Sequence, residues 1–197
     1  MIPHPAWGLL AAYGLGAIPF GVLFSRKLAG IDPRQSGSGN IGFTNVLRVA
    51  GKKAAILTLL CDAGKGLLAV WMAGFLTSEA SWLWVAALAV VAGHNYTVFL
   101  QFKGGKGVAT GLGALCGIDP RVGGLTVLIW LGTLWIWRFS SLGALVAFSV
   151  LPLTVFLFHR NLIAMVFSAV LSGMILIKHK ANIERLWAGT EPRIGRK

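Results

Sequence analysis

Seven apolar runs, at 5–24, 54–76, 82–102, 108–118, 121–137, 140–158 and 161–177, take up most of this chain. A helix needs about 20 apolar residues to cross the hydrocarbon core of a bilayer, within a range of roughly 17–25. Six of the seven runs reach that length, while 108–118 (VATGLGALCGI) is short enough to be re-entrant. Charge placement decides its reading. If all seven runs cross with the N-terminus outside, fifteen of the eighteen Lys and Arg residues lie inside, Arg121 and Arg160 lie outside, and Lys65 sits within a span. That asymmetry obeys the positive-inside rule, whereas a non-crossing 108–118 would place the basic tail outside. The sequence therefore predicts an all-α integral membrane protein. It has seven transmembrane helices, the N-terminus outside, the C-terminus in the cytoplasm, and one domain over 1–197.

The composition agrees. Charged residues make up 12% of the chain, against about 25% in soluble domains, and eight tryptophans suit membrane–water interfaces. A net charge of +12 would fit nucleic-acid binding only on a soluble module with a basic face, and none is present. Cys61 and Cys116 both lie in apolar runs, so neither a disulfide framework nor a metal site is indicated. The first run lacks the basic start and small-residue cleavage site of a signal peptide and reads as a retained helix.

Three polar segments interrupt the apolar pattern, and the topology puts all of them on the cytoplasmic side. SGSGNIGFTN (36–45) holds G-x-G-x-x-G at Gly37, Gly39 and Gly42, but no strand precedes it, so a dinucleotide fold is excluded. What remains is a glycine-rich loop with Ser38, Asn40, Thr44 and Asn45. It feeds a helix near residue 44, whose N-terminus favours an anion. Arg48, one turn on, adds a forked guanidinium. The second segment, KGGKG (Lys103, Gly104, Gly105, Lys106 and Gly107), is a cationic turn that does not match a Walker nucleotide loop; a topology anchor is its plainer reading. The third, HKANIERLWAGTEPR (179–193), spaces Ile183, Leu186 and Trp187 as one apolar helix face. The predicted cytoplasmic tail, 178–197, thus lies amphipathically on the membrane and contributes to the site. Inside the second span, Asp62 and Lys65 share a helix face; such a pair either neutralises itself for packing or serves function. His94 reads as a structural hydrogen-bonder.

Together these segments resemble the bacterial acyl-phosphate:glycerol-3-phosphate acyltransferase family, the PlsY type. Ser38–Arg48 (SGNIGFTNVLR) matches its SGNxGATNxxR, Gly93–Thr110 matches GHxxxxFxxFKGGKxVAT, and His179–Glu191 matches HRxNIxRLxxGxE; GAIPFG at 16–21 is similar as well. Phe43 stands where the family has Ala. Lys180 replaces Arg, keeping the charge but losing forked geometry. The resemblance implies transfer of a fatty acyl group from acyl phosphate to the sn-1 hydroxyl of glycerol 3-phosphate. The products would be lysophosphatidic acid and phosphate, the first step of bacterial phospholipid synthesis. It also implies an inner-membrane enzyme with a cytoplasmic active site and no cofactor.

On this reading Gly37, Ser38, Gly39, Asn40, Gly42, Thr44 and Asn45 hold the acyl phosphate. Arg48, Lys103, Gly104, Gly105, Lys106, Ser141, His179, Asn182 and Glu191 hold glycerol 3-phosphate. Ser38, Arg48, Lys106, His179 and Asn182 are the candidate catalytic residues. An acyl phosphate is already an activated mixed anhydride, so direct attack by the glycerol hydroxyl suffices, and the base is His179, Glu191 or a substrate phosphate oxygen. The main rival is a transporter of phosphorylated metabolites, which commonly carries inverted repeats; none is visible. A scaffold for other lipid enzymes and a lipid phosphatase are further alternatives, the latter disfavoured by six scattered carboxylates.

Overall fold

A computed structural model describes residues 5–195, all of whose regular elements are helical. Arg196 and Lys197, part of the predicted basic tail, lie outside the described residues. The helices are α1 (Pro5–Ala17), α2 (Phe20–Ala29), α3 (Phe43–Leu76), α4 (Ala80–Asn95), α5 (Val108–Ile118), α6 (Pro120–Trp137), α7 (Ser140–His159), α8 (Leu162–Ile177) and α9 (Lys180–Trp187). Among the described residues, four segments are long and apolar enough to cross a membrane: Trp7–Ala29, Phe43–Leu76, Ala80–Leu100 and Ser140–His159. The pair α8–α9, bent by 62°, passes the same criteria when the two helices are taken together as one broken span.

The first apolar run is a broken helix rather than a continuous one. Pro19 has no N–H, so the turn around it frees carbonyls that lipid cannot satisfy. Thr97 Oγ1 donates to the Ala17 carbonyl at 2.5 Å, and Lys65 Nζ donates to the Ile18 carbonyl at 2.9 Å. Lys65 also lies 2.8 Å from Asp62 Oδ1. The intramembrane ion pair thus serves the helix break as well as its own neutrality.

The second run starts eleven residues earlier than its apolar pattern suggested. A kink at Gly51 (φ 85°, ψ 176°), a conformation that L side chains rarely adopt, divides a short N-terminal arm (43–50) from the spanning part of α3. The third run ends sooner than expected. α4 stops at Asn95, and residues 98–100 form one tight turn capped by Thr97. α5 is short, and its middle, Thr110–Leu115, is buried. It packs against α3, α4 and α6. The main core joins α4, α5, α7 and α8 through Val90, Val91, Leu115, Phe148, Leu151, Leu171 and Ile175.

Candidate active site

The loop after α2 is tied down by side chains before it meets any ligand. Asp32 caps the turn at 33–35 and accepts from Arg34 and Arg26, whose guanidinium groups hold its carboxyl far below the usual carboxylate range. Asn45, buried at the start of α3, is the hub. Its Nδ2 donates to the carbonyls of Pro33 (2.9 Å), Ser36 (3.1 Å) and Asn40 (2.8 Å), and its Oδ1 accepts from the Ser38 amide at 2.9 Å. Asn40 Oδ1 accepts from the Gly42 amide at 2.8 Å. The amides of Ser38 and Gly42 are therefore spent within the loop. Those of Phe43 and Thr44, at the helix N-terminus, donate to no protein group among the described residues. Helix geometry leaves such groups facing outward with positive partial charge.

The second wall is the turn between α4 and α5. Gly104 N donates to the Asn95 carbonyl (3.2 Å) and Gly105 N to the His94 carbonyl (3.0 Å), folding KGGKG back onto the end of α4. Lys106 then points its ammonium at Asn182 Oδ1. The third wall is α9 and the segment after it. Glu191 Oε1 accepts from Ser141 Oγ (2.6 Å) and Asn182 Nδ2 (2.7 Å), and its Oε2 accepts from Arg185 Nε (2.7 Å). Ile194 N donates to the Arg138 carbonyl at 2.8 Å, and the Arg193 guanidinium stacks 5.1 Å from the Phe139 ring centroid. The tail is thereby fastened to the α6–α7 junction. α9 turns Asn182 inward and leaves Trp187 91% exposed, in keeping with an amphipathic helix at an interface.

These walls enclose one cavity of about 140 Å³. Its polar lining includes Ser38, Asn40, Arg48, Lys106, His179 and Asn182, and its apolar lining includes Phe43, Leu59, Leu112 and Trp130. One space therefore offers cations and backbone amides beside a greasy wall. Among the described residues, Arg48 makes no ion pair. Burial pulls the Lys106 pKa down to about 8, with Glu191 opposing and Arg185, Arg48 and Lys178 assisting. Burial likewise pulls His179 down to about 4. Its Nδ1 lies 2.8 Å from the Ile175 carbonyl, so Nδ1 carries the hydrogen and Nε2 keeps the lone pair. Burial works to raise the Glu191 pKa, but donors from Ser141, Asn182 and Arg185 outweigh it and hold the carboxyl below its usual range.

Of the predicted site residues, Ser38, Asn40, Gly42, Thr44, Asn45, Arg48, Lys106, Ser141, His179, Asn182 and Glu191 line the cavity. Gly37, Gly39, Lys103, Gly104 and Gly105 do not. Lys103 is exposed, and the two glycines after it serve the turn rather than the space. Sequence reasoning missed Trp130 and Ser140, and it left Asp62 and His94 without a place at the cavity. Trp130 Nε1 donates to the Ser140 carbonyl at 3.2 Å, a contact that no spacing rule announces.

A sequence model described as glycerol-3-phosphate acyltransferase matches residues 6–189. The chain belongs to the glycerol-3-phosphate acyltransferase family. It is similar to the glycerol-3-phosphate acyltransferase of Nitrosospira multiformis, 49% identical over 199 residues and covering 96% of each chain. The enzyme of that name from Bordetella pertussis is 47% identical over 196 residues, covering 96% of this chain and 91% of the relative. Among solved structures it is similar to PlsY, an integral membrane glycerol 3-phosphate acyltransferase, in its glycerol 3-phosphate form. That likeness has a TM-score of 0.90 at 38% identity, covering 97% of this chain and 96% of the other. The lysophosphatidic acid form of the same enzyme aligns with a TM-score of 0.88 at 37% identity, covering 97% and 95%. The chain is thus an acyltransferase of membrane phospholipid synthesis, built as a helical integral membrane protein.

Proposed function

We propose that the cavity transfers a fatty acyl group from acyl phosphate to the sn-1 hydroxyl of glycerol 3-phosphate at the cytoplasmic face of a bacterial inner membrane. The observation that carries this reading is the meeting of three distant segments, 38–48, 106–109 and 179–192, around one space. Both substrates bear phosphate, and a relative captured with glycerol 3-phosphate and with lysophosphatidic acid brackets the acceptor and the acylated product. At an effective dielectric of ~20, a unit ion pair at 4 Å gains about 4 kcal/mol before desolvation. More than one cation is therefore needed, and Arg48 and Lys106 supply them.

In this mechanism the free amides of Phe43 and Thr44, with Ser38, Asn40 and Thr44 side chains, seat the acyl phosphate. Gly37, Gly39, Gly42 and Asn45 shape the loop that presents them. Arg48, Lys106 and Asn182 hold glycerol 3-phosphate, with Ser141 and Glu191 fixing Asn182. Lys103 anchors the turn at the membrane surface. The glycerol oxygen forms a bond to the acyl carbonyl carbon, the bond from that carbon to the phosphate oxygen breaks, and phosphate leaves. The proton of the attacking hydroxyl passes to a substrate phosphate oxygen, while His179 Nε2 accepts a hydrogen bond from the other glycerol hydroxyl and so aims the attacking oxygen. Glu191 is unsuited to be the base, since both its oxygens accept from fixed donors. A substrate phosphate oxygen, with a second pKa near 6, is a better proton acceptor than an imidazole held at about 4. Positioning and charge stabilisation supply the rest.

The topology accompanying this mechanism has seven crossings, with α5 as the shortest. At 1.5 Å per residue it spans roughly 16 Å, and the protein around it supplies the environment that lipid supplies elsewhere. The purified protein should release phosphate only when acyl phosphate and glycerol 3-phosphate are both present, with 1-acyl lysophosphatidic acid as product. Phosphate release without acceptor, or acylation from an acyl thioester alone, would overturn the assignment. Impermeant thiol labelling should reach a cysteine at position 121 from outside and one at 103 only from inside.

A further inference from the structure

Asp62 and His94 line the cavity, yet the mechanism above does not use them. They sit in a buried polar column that starts at the α1–α2 break and ends at the KGGKG turn. Lys65 Nζ holds the Ile18 carbonyl at 2.9 Å and Asp62 Oδ1 at 2.8 Å. The same Asp62 oxygen faces His94 Nδ1 at 3.5 Å, with the Asp62 and His94 side chains only 3% and 5% exposed. The far edge of the His94 ring packs against Gly105 so closely that a Cβ on that residue would collide with Nε2. The His94 carbonyl accepts the Gly105 amide at 3.0 Å. The next carbonyl, of Asn95, accepts both Gly104 N (3.2 Å) and Lys178 Nζ (3.0 Å). Lys106, the cation reaching into the cavity, is one residue beyond this contact.

We propose that Asp62 and His94 are positioning residues for acyl transfer. The Asp62 carboxylate orients the His94 imidazole, the imidazole supports the backbone at Gly105, and that support sets where the Lys106 ammonium stands. The inference rests on the reading that Lys106 binds the phosphate of glycerol 3-phosphate. It explains three features at once. Residue 105 must be glycine because the ring occupies the space a methyl would fill. A carboxylate stands inside a span where packing alone would favour an apolar residue. A histidine touches the turn on both its side chain and its carbonyl. In a water-poor site, a displacement of about 1 Å in a positioning group costs up to ~100-fold in function.

The test is titration calorimetry of glycerol 3-phosphate on the full-length protein in detergent, without acyl donor. His94→Ala and Asp62→Asn should each weaken binding about tenfold, and Gly105→Ala should do the same by displacing the ring. His94→Ala combined with Gly105→Ala should bind no more weakly than His94→Ala alone, because the methyl enters the space the imidazole vacates. His94→Ala combined with Lys106→Met should bind no more weakly than Lys106→Met alone, since both act through one ammonium. A merely structural histidine predicts losses that multiply in the pair with Lys106→Met, whereas the pair with Gly105→Ala tests the packing contact. Wild-type affinity in His94→Ala and Gly105→Ala, or multiplying losses, would overturn the inference; these two variants leave the Asp62–Lys65 pair intact should Asp62→Asn not fold. Unchanged affinity in Lys106→Met would instead sink the reading of the cavity itself, and the inference with it.

Discussion

Glu191→Gln is the most informative single change at the site, because the replacement is nearly isosteric and only charge and hydrogen-bond polarity differ. The carboxylate accepts at Oε1 from Ser141 and Asn182 and at Oε2 from Arg185. A glutamine that keeps its oxygen toward Ser141 and Asn182 must turn its NH2 toward Arg185 Nε, donor against donor. A hydrogen bond to a charged group contributes about 1.5–3 kcal/mol, and leaving a buried partner unsatisfied adds to its loss. The expected cost is therefore about 2–4 kcal/mol in attachment of residue 191 to α9. A second consequence follows at Lys106, whose pKa of about 8 already includes an upward contribution from the Glu191 charge. Removing that charge lowers the pKa further, so the ammonium deprotonates at lower pH. Steady-state assays at saturating acyl phosphate, run across pH 6–9.5, should show the alkaline rise in KM for glycerol 3-phosphate moving to lower pH. A thermal melt should show a lower Tm in the same variant. A Glu191→Gln enzyme with an unshifted alkaline limb and wild-type Tm would refute the coupling of Lys106, Asn182 and Glu191.

Other outcomes follow from the same geometry. Asn45→Asp should destabilise more than Asn45→Ala, as judged by Tm, because Asp sets a carboxylate oxygen against the carbonyls of Pro33, Ser36 and Asn40 where Nδ2 now donates. Arg48→Ala should raise KM for a phosphate-bearing substrate roughly 10–100-fold, the loss of one charge-assisted hydrogen bond. Because His179 is held at about 4 when folded against an ordinary 6.5, the native state binds fewer protons, and stability is lost as pH falls from about 6.5 towards 4. His179→Gln should flatten that acid dependence of Tm.

The cavity-lining cations Arg48 and Lys106 were legible in the sequence because each stands beside glycines and small polar residues in an otherwise apolar chain. Glu191 was singled out in the sequence and lines the cavity, but its work as a clamp was not legible, since Ser141 lies fifty residues away in sequence and meets it only after α7 and the tail dock. The KGGKG turn carries contacts that its spelling does not announce. The amides of Gly104 and Gly105 donate to carbonyls at the end of α4, partners that only the folded chain supplies. Asn45, which lines the cavity, is also the strut of its own loop.

Helical integral membrane architecture and the polar segments that line the cavity follow from sequence, because hydrophobic length and donor chemistry are local properties that survive without coordinates. Which amides remain free, which carboxylate is spent and why a buried Asp–His pair stands beneath Lys106 depend on three-dimensional satisfaction of hydrogen bonds. A polar group buried near lipid must find a partner wherever the fold brings one, and that partner can lie at any distance along the chain.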